Sequence, residues 1–102
     1  MKQVLFSIAL AGFAASLPAH ADEALAKKHN CLVCHSIDRQ VVGPAYKAVA
    51  KKYAGQQGIE ARLIAKVKNG GAGVWGPTPM PPNAAVSDAD LKTLVHWILS
   101  LK

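Results

Sequence analysis

A chain of 102 residues that is 51% hydrophobic and 18% charged, with a net charge of +6, has the balance of one ordinary globular domain. The excess positive charge favours acidic partners or membrane surfaces. The lysines are scattered, however, and no aromatic-rich basic groove is legible, which argues against a nucleic-acid protein.

The N-terminus reads as a secretory leader. Lys2 supplies the positive start, Val4 to Leu17 run without a charge, Pro18 breaks the run, and Ala19-His20-Ala21 is a small-x-small cleavage site. A retained anchor would need ~20 apolar residues, and this run is shorter. Cleavage after Ala21 leaves residues 22–102 as the mature domain, in the periplasm. It removes one lysine and no acid, so the net charge falls to +5. No later stretch is long enough to span a bilayer. Apolar burial alone stabilises so small a domain only marginally, so a staple or a cofactor is expected.

A first helix is expected from about Asp22 to Asn30, Ala/Lys-rich, with Leu25 facing inward. Directly after it stands Cys31-Leu32-Val33-Cys34-His35, which is C-x-x-C-H, the attachment sequence for c-type haem. In a helical turn, positions 31, 34 and 35 share one face. Two thiols so placed can each add to a haem vinyl group, and the imidazole of His35 can bind the iron axially. Three other readings compete. A thioredoxin-like dithiol needs strands around the motif, a structural zinc site needs four ligands, and a disulfide between cysteines three apart closes too small a loop to stabilise much.

In the second helix Tyr46, Val49, Ala50 and Tyr53 fall at i, i+3, i+4 and i+7, with Lys47, Lys51 and Lys52 off that face and Gly55 and Gly58 marking its end. The pairs Lys27-Lys28 and Lys51-Lys52 read as solvated helix faces. The third helix spans Ile59 to Asn69, striped by Ile59, Leu63 and Val67 and stopped at Asn69-Gly70-Gly71. Residues 70 to 86 hold too many glycines and prolines for regular structure, and so long an irregular stretch in a small domain is usually functional. Within it lies Pro77-Thr78-Pro79-Met80-Pro81-Pro82. Once Met1 leaves with the leader, Met80 is the only methionine. Prolines can present its side chain at low ordering cost, as a sixth ligand to the iron. The competing reading is a methionine that fills the core. Among the histidines, His20 leaves with the leader, His29 is too near Cys31 to reach across a haem, and His96 falls on the polar face of the last helix. That helix starts at Ser87 as its cap, with Asp88 and Asp90 at the positive end of the dipole and Leu91, Leu94, Val95, Ile98 and Leu101 on its buried face. The expected architecture is therefore all-α, with four helices, no strand and no internal repeat.

With these residues assembled, the sequence resembles the small bacterial class I monohaem c-type cytochromes of the c-551 type, over essentially the whole mature chain. The likeness rests on Val42-Gly43-Pro44-Ala45-Tyr46, Lys68-Asn69-Gly70, Gly73-Val74-Trp75-Gly76-Pro77, Pro79-Met80-Pro81-Pro82-Asn83 and the region of Trp97. The resemblance implies one covalent haem c wrapped by about four helices, with Cys31 and Cys34 as thioether positions and iron between His35 and Met80. It further implies that the Pro44 carbonyl accepts the Nδ1 proton of His35, that the Trp75 indole bonds a haem propionate, and that Asn83 bonds near the Met80 sulfur and orients it. Several positions depart from the pattern. Lys66 stands where relatives often have an arginine that ties down a propionate, and lysine lacks the planar fork. Asn30 precedes Cys31 where glycine is common, Ala26 replaces an aromatic, and Ala84-Ala85 carries an extra alanine.

The function these residues imply is one-electron transfer between redox proteins, such as a cytochrome bc1-type donor and a terminal reductase or peroxidase acceptor, by a monomer without a membrane span. An apolar patch at the haem edge, including Val41, Val42 and Pro81, would meet those partners. The alternatives are a haem subunit of a peroxidase or nitrite-reducing system, which would need a vacant iron position, and a non-haem thiol or metal module.

Overall fold

The computed structural model describes residues 20–102 as four α-helices and one 3-10 turn: α1 (His20–Lys28), the turn at Cys31–Val33, α2 (Tyr46–Tyr53), α3 (Ile59–Asn69) and α4 (Asp88–Ser100). Residues 1–19, which hold most of the expected leader, lie outside it. Among the described residues no helix is long and apolar enough to cross a membrane.

The all-α expectation holds. Helix α3 has the expected bounds, and α2 buries Tyr46, Val49, Ala50 and Tyr53, the four residues of its apolar stripe. Helix α1 ends two residues earlier than expected. Asn30 takes φ 60°, the left-handed region, and is the one described non-glycine residue to do so. Asparagine tolerates that conformation better than most side chains, which is why it can stand where glycine is common. The reversal there breaks α1 and launches the 3-10 turn.

Helix α4 is the central strut and packs against α1, α2 and α3. Its N-terminus is capped as expected, the Ser87 hydroxyl accepting the Asp90 N–H at 3.2 Å. Leu91, Leu94, Val95, Trp97 and Ile98 are buried, while Leu101, just beyond the helix, is only half-buried. Ala26 is fully buried in the cluster that also holds Tyr46, Val49, Tyr53, Ile59, Leu94, Trp97 and Ile98. The Trp97 ring meets Tyr46 edge-on, with centroids 5.8 Å apart and planes at 81°, a favoured aromatic geometry that ties α4 to α2.

Residues 70–86 form an irregular strap whose two feet are bonded to each other. Gly71 and Met80 exchange both backbone hydrogen bonds, at 3.0 and 2.8 Å. Proline could not have served at either place, and Met80 is flanked by prolines that leave it as the local donor. Gly70, at φ 71°, lets the chain leave α3 and lie against the strap's backbone; a Cβ there would stand 2.5 Å from the Met80 carbonyl oxygen and 2.8 Å from the Pro82 nitrogen.

Candidate functional site

A cavity of about 800 Å³ opens inside this frame, within the size range of cofactor pockets. Its walls come from every helix but α1, together with the 3-10 turn and the strap. The 3-10 turn and the residues after it give Cys31, Cys34 and His35, α2 gives Tyr46, Val49 and Tyr53, and α3 gives Ile59, Leu63 and Val67. Helix α4 gives Leu91, Leu94, Val95 and Ile98, and the strap gives Trp75 and Met80. The apolar stripes of three helices thus converge on one space. Leu63 and Val67 are only half-buried because they face it.

The C-x-x-C-H turn is held by its own backbone. The Cys31 carbonyl accepts the Cys34 N–H at 3.3 Å and the His35 N–H at 3.0 Å, so both thiols and the imidazole are carried on one tight turn. No disulfide joins the cysteines, and both are half-buried. Burial pushes the Cys31 thiol up, with a hydrogen bond from Tyr46 pulling the other way. Burial, and then the neighbouring Cys31, push the Tyr46 phenol well above its ordinary value. Around the turn there are no flanking strands for a thioredoxin-like dithiol. Among the described residues no group of three His, Cys, Asp or Glu side chains is placed to hold a metal ion, so a zinc site has no ligand set.

His35 Nδ1 lies 2.8 Å from the Pro44 carbonyl oxygen. A carbonyl can only accept, so Nδ1 carries the proton and Nε2 keeps its lone pair. Met80 is half-buried on the strap in the same cavity wall. Asn83 bonds to the main chain on either side of the strap. Its amide donates to the carbonyls of Val67 at 3.2 Å and Pro81 at 3.1 Å, and its backbone N–H lies 3.1 Å from the Val67 and Lys68 carbonyls. An amide NH₂ has two protons, and both are engaged. Asn83 therefore fastens the strap to α3 through main-chain carbonyls.

Trp75 stands at the rim, 42% exposed, with the Lys52 Nζ 5.4 Å from its ring centroid, within cation–π reach. Arg62 and Lys66, one turn apart on α3, line the same cavity. By contrast Asp38, Glu60, Asp88 and Asp90 each have a basic partner within 4.0 Å, namely Lys47, His96, Lys68 and His29. The cavity edge is thus cationic, which suits a group with carboxylates. His96, as expected, is exposed, and its one acidic neighbour is Glu60 at 3.6 Å.

The set fits a covalently attached haem: two thiols on one turn, an imidazole with a fixed tautomer, a thioether on a strap, apolar walls and a cationic rim. Sequence reasoning missed the contacts made by Lys52 and His29, and it read Tyr46 only as part of an apolar stripe.

Comparison with known proteins agrees with that chemistry. The family model described as Cytochrome c matches residues 21–102. Cytochrome c-551 of Pseudomonas aeruginosa is 59% identical over 80 residues, covering 78% of this chain and 76% of that protein. Cytochrome c-551 of Stutzerimonas stutzeri is 50% identical over 105 residues and covers 100% of both. The crystal structure of wild-type Nitrosomonas europaea cytochrome c552 superposes with a TM-score of 0.76 at 54% identity, covering 78% of this chain and 99% of that one.

Proposed function

The chain belongs to the cytochrome c family, and on that premise we propose that this small electron carrier is a diffusible periplasmic shuttle with iron held between His35 and Met80. The family brings one covalently attached haem c, an electron-transfer role rather than an enzymatic one, and redox proteins as partners. When bound, that group supplies exchange of one electron between Fe(II) and Fe(III).

The observation that carries the reading is that a single cavity has Cys31, Cys34, His35 and Met80 together in its wall. Cys31 and Cys34 provide the thioether bonds. The Pro44 carbonyl holds the His35 proton on Nδ1, which orients the ring and makes Nε2 the stronger donor. The Met80 thioether is a soft ligand, and His/Met pairing raises the reduction potential. Were His35 and Met80 both to hold the iron, no position would be left for a substrate. Trp75, Lys66 and Arg62, which line the cavity, would hold the propionates, and Asn83 keeps the strap shut.

Partners meet the exposed valines beside the turn. Val33, Val41 and Val42 are 71%, 53% and 54% exposed, an apolar patch on the side of the thioethers. Uncompensated lysines around the molecule steer acidic partners, so fast transfer should weaken with salt. The partner classes that suit such a carrier are a cytochrome bc1-type donor and a terminal reductase or peroxidase acceptor. The periplasmic placement rests on the leader features of residues 2–21. A redox titration of the purified protein with visible spectra tests the whole reading. A haem c spectrum with one-electron behaviour and a weak red-edge band of sulfur-to-iron bonding in the oxidised form is expected. Rapid cyanide binding without that band would overturn the His/Met assignment.

A further inference from the structure

The imidazole of His35 is held by more than its hydrogen bond. A Cβ placed on Gly43 would stand 2.6 Å from Cε1 of His35, 2.9 Å from Nδ1 and 3.1 Å from Nε2. Near-equal distances to both nitrogens, only slightly longer than that to the carbon between them, mean that Gly43 bears on the flat face of the ring and not on its edge. Tyr46 also stacks on the imidazole, with centroids 4.9 Å apart and planes 23° from parallel. Pro44, between these two residues in sequence, takes the Nδ1 proton.

Gly43 does not have the positive φ that explains most glycines of this chain. Its backbone conformation is open to other residues, so what the position requires is space.

The segment that carries these contacts is bonded to the segment that carries the histidine. Gly43 N–H donates to the Cys34 carbonyl at 2.7 Å, Tyr46 N–H to Ser36 at 2.9 Å and Lys47 N–H to Ile37 at 3.1 Å. The ring and its surroundings are therefore one hydrogen-bonded unit. A clash at Gly43 cannot be relieved by letting the two segments drift apart without breaking those bonds, so the ring itself must turn.

We propose that Gly43 and Tyr46 are positioning residues that set the plane of the His35 imidazole, Gly43 by leaving room for its face and Tyr46 by stacking on it. The proposal rests on His35 being an iron ligand. The orientation of an axial imidazole decides which iron orbitals it overlaps, and so how unpaired spin in the oxidised protein spreads over the haem periphery. That property is distinct from stability.

The test is proton NMR of the haem-loaded protein, with midpoint potentials and melting curves alongside, for wild type, Gly43→Ala, Tyr46→Phe and Tyr46→Leu. In the oxidised state the four haem-methyl resonances should change their order or spread in Gly43→Ala and in Tyr46→Leu. They should stay near the wild-type pattern in Tyr46→Phe, which keeps the stacked ring. Wild-type patterns and potentials in both of the first two variants, with only lower melting temperatures, would show a merely structural role and overturn the proposal. If Gly43→Ala does not accumulate as holoprotein, the contrast between Tyr46→Phe and Tyr46→Leu decides. Reduced wild-type protein should show the strongly upfield-shifted methyl of an axial methionine and shifted His35 ring protons. Their absence would sink the ligation reading itself, whereas their presence with unmoved haem methyls in the variants sinks the positioning role alone.

Discussion

Nε2 of His29 and Oδ2 of Asp90 meet at 2.9 Å, joining the residue just past α1 to the first turn of α4 across 61 positions of sequence. Both side chains are partly screened from water, at 17% and 33% exposure, so this contact is better placed to contribute than the exposed Lys47–Asp38 and Lys68–Asp88 pairs. His29→Ala is expected to cost about 1 kcal/mol. In a domain this size that lowers the melting temperature by roughly 4–8 °C. The midpoint potential should not move, since His29 does not line the cavity. Thermal melts and a redox titration of the same sample check both halves.

Replacing Met80 with alanine removes the one methionine in the cavity wall. The red-edge band should vanish, the potential should fall, and cyanide or imidazole should bind rapidly. An unchanged spectrum and potential would show that the sulfur is not a ligand.

Asn83→Ala removes two donors to main-chain carbonyls, those of Val67 and Pro81. At about 1–2 kcal/mol in total, the population with an open strap should rise roughly 5–30-fold. The observable is the rate of binding of an external ligand such as imidazole, which should increase while the equilibrium spectrum of the unliganded protein stays that of wild type.

Tyr46 predicts a pH dependence. Its phenol is held above its ordinary value chiefly by burial, a cause that persists when Cys31 carries a thioether. The unfolded chain releases that proton near pH ~10, while the folded chain retains it. The unfolded state therefore binds fewer protons above that point, and stability falls as pH rises. Below it the contribution is intact. The stability gap between wild type and Tyr46→Phe should therefore shift in favour of Tyr46→Phe from pH 8 to pH 11. Parallel denaturant melts at the two pH values measure it, and a constant gap would refute the assignment.

Much of this structure is legible from local pattern. The 3.6-residue stripes of α2, α3 and α4 mark the three helices that line the cavity, and Ser87 marks the cap. The Gly/Pro run marks the strap, and C-x-x-C-H with a lone methionine marks the residues that share the cavity. Contacts between distant positions are not legible in the same way. Nothing in the periodicity around His29 points to Asp90, and nothing near Trp75 points to Lys52, because those pairings exist only once the helices have packed. The early end of α1 had a signal in Asn30, a residue suited to the left-handed region, but helix-forming neighbours on its N-terminal side outweighed it. Gly43 carried no signal of its own, since a glycine required for space looks like a glycine required for a turn.

The paired amides and carbonyls of Gly71 and Met80 have a consequence for how this chain can vary. They pin the strap by main-chain atoms at its two feet, so residues 72–79 hang from a fixed base. Drift of sequence in that outer arc, including its length, can reshape what a passing protein touches without shifting the sulfur. Trp75 apart, the shape of that outer surface and the placing of the sulfur are thereby separable traits, open to independent selection.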